Sequence, residues 1–307
     1  MYKHNINLLP TQTNKNYESE ELIPKNIMSI GANKKWDQGY TGNGIVIAIL
    51  DSGCDTKNPN LAANIIGGYN FTEEHNGDTS NFEDLNGHGT HVAGIIAASK
   101  HKKGTVGVAP NAKLLILKVL DEFGKGSVET VVTALNYATK WRGPYGEKVR
   151  VISLSLGTRN PNEDMYTAIK EALEEDIPVV VASGNDGDGN INTDEYRYPG
   201  AYDEVIEVGA VDDDNNIAPF TNTNRFVDIY APGLDINSTF LDNEFAVLSG
   251  TSMAVPHVAG AIAIIIEEYE KKYGIPLREH DIYRLLRNNT DLIKADEKNN
   301  INVLSLK

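Results

Sequence analysis

The sequence predicts an α/β fold of three layers, with a central, mostly parallel sheet flanked by helices. Three observations predict it. Short apolar, β-branched runs recur along the chain, at residues 45–50 (IVIAIL), 114–120 (LLILKVL), 149–156 (VRVISLSL), 177–182 (IPVVVA) and 205–211 (VIEVGAV). Most are continuous rather than alternating, as expected of strands buried on both faces. Between them lie segments with helical spacing, at 88–99, 127–141 and 163–175. Strand and helix in alternation specify parallel pairing with helices on both sides of the sheet.

The elements follow in order. Residues 45–50 make the first strand, and the polar turn DSGCD (51–55) ends it. The segment 88–99 opens on HGTH and continues in small and branched apolar residues. Within 127–141, Val128, Val131, Val132, Leu135 and Ala138 fall on one helical stripe. Two long helices close the chain, at 252–273 and 278–288. There are no internal repeats and no low-complexity linker. Residues 1–20 are polar and Asn-rich, with one apolar knot at Leu8, Leu9 and Pro10. They read as an extension, and residues 21–307 as one domain.

Composition excludes several classes. Hydrophobic residues make up 40% and charged ones 23%, ordinary for a globular chain and too apolar for bulk disorder. The net charge of −15 argues against a nucleic-acid or membrane partner, since both take a basic face. The longest apolar run, 258–266, is about half of what a membrane helix needs. The N-terminus lacks the apolar core and cleavage site of a secretory signal. The single cysteine, Cys54, excludes an internal disulfide framework and reads as a small buried residue. Together these features predict a cytoplasmic protein.

In open α/β sheets the ligand site lies beyond the carboxyl ends of the strands. Three segments there carry chemistry: DSGCD (51–55), HGTHVAG (88–94) and GTSMAVPHVAG (250–260). A serine hydroxyl is a weak nucleophile until a neutral imidazole takes its proton. The imidazole in turn needs a buried carboxylate to fix its tautomer and to stabilise the imidazolium. Asp51, His88 and Ser252 supply these three types. His91 and His257 sit beside them and read as packing and hydrogen-bonding residues, and Asp55 as a turn residue.

The three motifs together resemble the signatures of the subtilisin-like serine proteases, over roughly residues 36–289. The resemblance implies that Asp51 orients, His88 acts as general base and then acid, and Ser252 is the nucleophile. It also implies an oxyanion donor in Asn185, from the segment Ala182, Ser183, Gly184, Asn185, with the backbone N–H of Ser252 as its companion. It further implies that substrate lies as an added strand between 123–127, including Gly124, Lys125 and Gly126, and 155–157, that is Ser155, Leu156 and Gly157. Glycine permits close backbone approach, and main-chain bonds read any sequence. Protein or peptide substrates follow. The pocket for the residue before the cleaved bond is walled by Ser155, Leu156 and Gly157 on one side and Ala182 and Gly184 on the other. Asp186 at its rim favours a basic side chain. Arg197 near its base either narrows the pocket or pairs with an acid, which leaves the preference open.

The chemistry requires no cofactor. For calcium as a structural ion the sequence is divided. The family's tight site needs an acid where Asn60 stands, and its loop here, 99–104, carries three lysines. That site is expected to be lost. A second candidate is Asp186, Asp188 and Asp194, whose alternating oxygens resemble a calcium loop. Yet Ile191 replaces the turn glycine, and Arg197 stands where a bidentate Glu belongs. A solvated acidic loop and a calcium site both remain open.

The N-terminus is most similar to that of the intracellular subtilisins, which carry a short extension across the active site in place of a large prodomain. Ile6, Asn7, Leu8, Leu9, Pro10 and Thr11 resemble that motif, with Thr11 in place of the aromatic. A zymogen-like inhibitory segment is the expectation, and a plain tail is its alternative. The chain ends at Lys307, soon after its last strand, which argues against a tail-swapped dimer; oligomeric state stays open. Two rival functions are a dedicated leader peptidase for a modified peptide precursor, and a non-catalytic peptide-binding module.

Overall fold

The computed structural model describes residues 5–8, 12–15, 23–99 and 104–307. In chain order the elements are β1 (Asn5–Leu8), β2 (Gln12–Lys15), α1 (Lys25–Ser29), α2 (Ala32–Asp37), β3 (Val46–Asp51), β4 (Ile65–Asn70), α3 (His88–Ala97), β5 (Lys113–Lys118), β6 (Lys125–Ser127), α4 (Val128–Lys140) and β7 (Val149–Leu154). There follow β8 (Leu156–Gly157), α5 (Glu163–Glu174), β9 (Val179–Ala182), β10 (Ile206–Val211), β11 (Val227–Pro232), β12 (Ile236–Thr239), β13 (Phe245–Ser249), α6 (Thr251–Tyr273), α7 (Glu279–Asn288), β14 (Thr290–Lys294) and β15 (Asn300–Leu304).

Among the described residues the largest sheet has nine strands, in the order β14-β15-β11-β10-β9-β7-β3-β5-β4. Its neighbours pair in parallel except β14 with β15. The continuous apolar runs have a direct cause. In β3, Ile47 and Ile49 join the core that contains α3 and α6, whereas Val46, Ala48 and Leu50 join the core that contains α4 and α5. Both faces are covered, so Val46 to Leu50 are all apolar.

Helix ends follow local chemistry. The Ser127 hydroxyl caps α4 by accepting from the N–H of Thr130 at 3.1 Å, and the Asn162 side chain caps α5 through Met165 N–H at 2.9 Å. By length and composition α6 is apolar enough to cross a membrane. Here residues 251–267 are all buried, as befits a core helix that is apolar all round.

The departures of two strands from their apolar runs have a visible cause. The run 177–182 becomes a strand only from Val179, because Pro178 has no N–H to give the ladder. The run 149–156 divides at Ser155. β7 stays in the large sheet and β8 enters a separate three-stranded sheet. β3 lies between β5 and β7, so the chain fills the sheet in opposite directions from it. The carboxyl end of β3 is a switch point where a crevice opens. Its last residue is Asp51.

Candidate active site

Asp51 and His88 meet at that switch point. His88 Nδ1 lies 2.8 Å from Asp51 Oδ1 and 3.0 Å from Oδ2. Both residues are buried. The N–H of Ser52 donates to Asp51 Oδ1 at 2.7 Å, which fixes the carboxylate on its own turn. The first turn of α3 brings His88 in because two glycines permit contact. A Cβ on Gly89 would stand 2.2 Å from the carbonyl oxygen of Gly53.

A carboxylate that the sequence reading did not single out organises this junction. Asp84 Oδ1 accepts from Ser52 Oγ and from the N–H groups of Asn86 and Gly87, each at 2.9 Å. Its Oδ2 accepts from Thr90 N–H at 2.9 Å and Thr90 Oγ1 at 2.7 Å. Ser52 Oγ accepts in turn from Gly89 N–H at 3.0 Å. Asp84 thus ties the helix bearing His88 to the turn bearing Asp51. Its place at an α-helix N-terminus suits a negative charge. The available signal was an acid four residues before His88.

Lys118 is the second such residue. It ends β5 level with Asp51 and is fully buried. Its Nζ donates to the carbonyls of Ser52 at 2.5 Å and Leu120 at 3.2 Å, and pairs with Glu74 Oε2 at 2.7 Å. Glu74 Oε1 accepts from Glu122 N–H at 2.6 Å. A lone lysine in an otherwise apolar strand run was the sequence signal.

Ser252 is in the first turn of α6 and fully buried. Its Oγ donates to the Ser155 carbonyl at 3.3 Å. His88 Nε2 has no hydrogen-bond partner among the described residues. The structure therefore joins His88 to Asp51 and Ser252 to Ser155. Asn185 follows β9. Its Oδ1 accepts from Thr251 N–H at 2.8 Å and from Thr251 Oγ1 at 2.9 Å. This contact turns the nitrogen end of the amide away from Thr251.

The neighbouring histidines are structural. His91 Nε2 lies 3.0 Å from the carbonyls of both Ile236 and Ala246, and burial holds its pKa down to about 3. His257 Nδ1 meets the Met253 carbonyl at 2.8 Å, and burial lowers its pKa to about 4. Both rings are neutral near pH 7. Cys54 is buried, and desolvation, with Asp84, Asp55 and Glu83 nearby, pushes its thiol well up. A raised thiol makes a poor nucleophile.

The two expected edge segments are present, and a strand lies between them. β1 pairs antiparallel with β6, with Asn5 opposite Ser127, Ile6 opposite Gly126 and Asn7 opposite Lys125. It pairs antiparallel with β8 as well, with Asn7 opposite Gly157 and Leu8 opposite Leu156. Leu8 N–H donates to the Gly124 carbonyl at 2.8 Å, and a Cβ on Gly124 would meet the Leu8 side chain at 2.6 Å. Ile6 is fully buried in the α4–α5 core. β2 pairs antiparallel with β13, with Gln12 opposite Ser249. Leu9, Pro10, Thr11 and residues 16–22 lie outside the described residues.

Asp186 and Arg197, read as opposing influences, pair with each other. Arg197 Nε donates to Asp186 Oδ2 at 2.7 Å, and its terminal nitrogen contacts the same oxygen. Arg159 lies 3.9 Å from the other oxygen. The Arg197 stem packs on Gly184.

Asp188 Oδ1 accepts from Asn190 N–H at 2.8 Å, and the Asp194 side chain meets Tyr196. Among the described residues no group of three His, Cys, Asp or Glu side chains is placed to hold a metal ion. Asp186, Asp188 and Asp194 are thus not brought together. At the other position, Asn60 Nδ2 points at the carbonyls of Ser99 and Thr105, 3.4 Å from each. Lys100, Lys102 and Lys103 lie outside the described residues.

A mostly parallel α/β sheet with a buried Asp–His contact at its switch point, and a buried serine at the start of a helix, offers the residue types of the serine-protease class of hydrolases. The sequence profile of the subtilase family matches residues 42–304, and the chain belongs to that family of subtilisin-like serine endopeptidases. It is 44% identical to the intracellular serine protease of Paenibacillus polymyxa, over 92% of this chain and 84% of that protein. It is 42% identical to the major intracellular serine protease of Bacillus subtilis, over 92% and 86%. Subtilisin Savinase of Lederbergia lenta is 40% identical, over 85% and 90%. Enzymes of this family need no cofactor for their chemistry.

Proposed function

We propose that the chain cleaves peptide bonds through Asp51, His88 and Ser252, and that its own N-terminal strand occupies the substrate cleft until displaced. The observation that carries this is β1, hydrogen-bonded between the two edge strands that an extended substrate would use.

In the proposed cycle, Ser252 Oγ attacks the scissile carbonyl and His88 Nε2 takes its proton. Asp51 holds Nδ1–H, so Nε2 is the basic nitrogen, and the carboxylate stabilises the imidazolium. The oxyanion accepts hydrogen bonds from the Asn185 amide and from Ser252 N–H, at a helix start where amide groups lack intrahelical partners. His88 then returns the proton to the leaving amine. Water repeats the sequence on the acyl-enzyme. The resting Ser252 hydroxyl points at Ser155, so it must rotate toward His88 to react.

Residues 1–20 act as the inhibitory extension and 21–307 as the catalytic part. Main-chain pairing supplies the hold, and Ile6 anchors it in an apolar pocket. The named relatives support an intracellular enzyme, whose protein substrates share its compartment.

A fluorophosphonate probe tests the nucleophile. Wild-type protein is expected to be labelled and Ser252→Ala not. Equal labelling of both would refute the assignment.

A further inference from the structure

We propose that Ser155 is a positioning residue for the nucleophile: its hydroxyl replaces, at the carbonyl of Ser252, the helical hydrogen bond that Pro256 removes. The inference rests on Ser252 being the nucleophile.

α6 begins at Thr251, so the Ser252 carbonyl is due a hydrogen bond from the residue four positions on. That residue is Pro256, which has no N–H. The carbonyls of Thr251 and Met253, on either side, fall due to Val255 and His257, which do have one. Proline therefore orphans one carbonyl in the first turn, and it is the nucleophile's own. Ser252 is fully buried, where an unpaired carbonyl is costly. Ser155 Oγ donates to it at 3.0 Å. Ser155 is itself 1% exposed, so this hydroxyl too has reason to be paired.

The exchange runs both ways, since Ser252 Oγ donates to the Ser155 carbonyl at 3.3 Å. Ser155 lies between β7 and β8, where the chain leaves the large sheet for the edge sheet. The bond thus fixes the peptide after Ser252 against the strand that holds an extended chain. Reacting hydroxyl and bound peptide are registered by one residue.

The proline makes the idea testable, because restoring an N–H at 256 should make the Ser155 hydroxyl dispensable. In the full-length protein, Ser155→Ala is expected to lower kcat about 10- to 100-fold, with KM changed less than about threefold. Pro256→Ala alone should keep kcat within about threefold. The double variant Ser155→Ala with Pro256→Ala should recover at least about tenfold of the loss. If Ser155→Ala does not fold, recovery of fold and turnover in the double variant supports the same conclusion. A Ser155→Ala enzyme with normal kcat, or a double variant no better than Ser155→Ala, overturns it. Labelling that persists in Ser252→Ala would instead overturn the nucleophile assignment on which it rests.

Discussion

Two structures converge on the same cleft and are held there in different ways. The junction of β3 with α3 is built in. Asp51, Ser52, Asp84 and Thr90 are buried, and the Asp84 carboxylate alone accepts five hydrogen bonds. β1 is laid on. It meets β6 and β8 by main-chain pairing and commits one fully buried side chain, Ile6. The contrast teaches a division of labour. Groups that must keep sub-ångström geometry are locked by converging polar bonds in low dielectric. A segment that must leave is held by an edge ladder, whose bonds can be exchanged for those of a substrate.

Breaking the built-in side should have the largest effect. Asp84→Ala strands Ser52 Oγ, Thr90 and two helix-start N–H groups in a buried place. We expect kcat to fall at least about tenfold and stability to drop by about 2–4 kcal/mol, read by kinetics and by urea unfolding. An unchanged kcat would mean that α3 is held without it.

Breaking the laid-on side should act in the opposite direction. Ile6→Asp puts a charge into an apolar pocket, at a cost that β1 can escape by detaching. Peptidase activity should rise several-fold while the melting temperature of the remainder hardly moves. A fall in activity would contradict the contrast.

The smallest expected effect lies away from the cleft. Burial pushes the Glu207 carboxyl up to about 8, with Asp228 adding to the shift. Its folded pKa exceeds its unfolded one, so its contribution is full below about 4.5 and is lost as pH rises through about 8. Glu207→Gln should therefore raise the melting temperature at pH 9 and change it little at pH 4. Equal shifts at both values would discount the titration.

Much of this contrast was legible in the chain. β3, β5, β7, β9 and β10 announce themselves because burial on both faces makes most of their positions apolar and leaves no polar alternation. The motif residues Asp51, His88, Ser252 and Asn185 stand at strand and helix ends where a ligand site is expected. What the chain hides is pairing. β4 reads IIGGYN, half-buried and glycine-containing, and shows no period. β13 finds β2 more than two hundred residues away, which no local pattern encodes. Asp186 and Arg197 were each visible, but their ion pair depends on the loop's path. Asp84 and Lys118 were visible only as an acid before a motif and a charge in a strand. Their meaning comes from the junction they close. Ser155 was expected at the substrate edge, but only the break between β7 and β8 shows that its carbonyl faces Ser252.

The central claim is that β1 holds the place of a substrate. The most direct measurement compares kcat/KM of the full chain with that of residues 21–307 on one peptide substrate, then adds a synthetic peptide of residues 1–15 to the shorter form. The account predicts a higher kcat/KM for residues 21–307, and competitive loss of that gain as the peptide is added. Equal kinetics for the two forms, with no effect of the peptide on a folded shorter form, would contradict it.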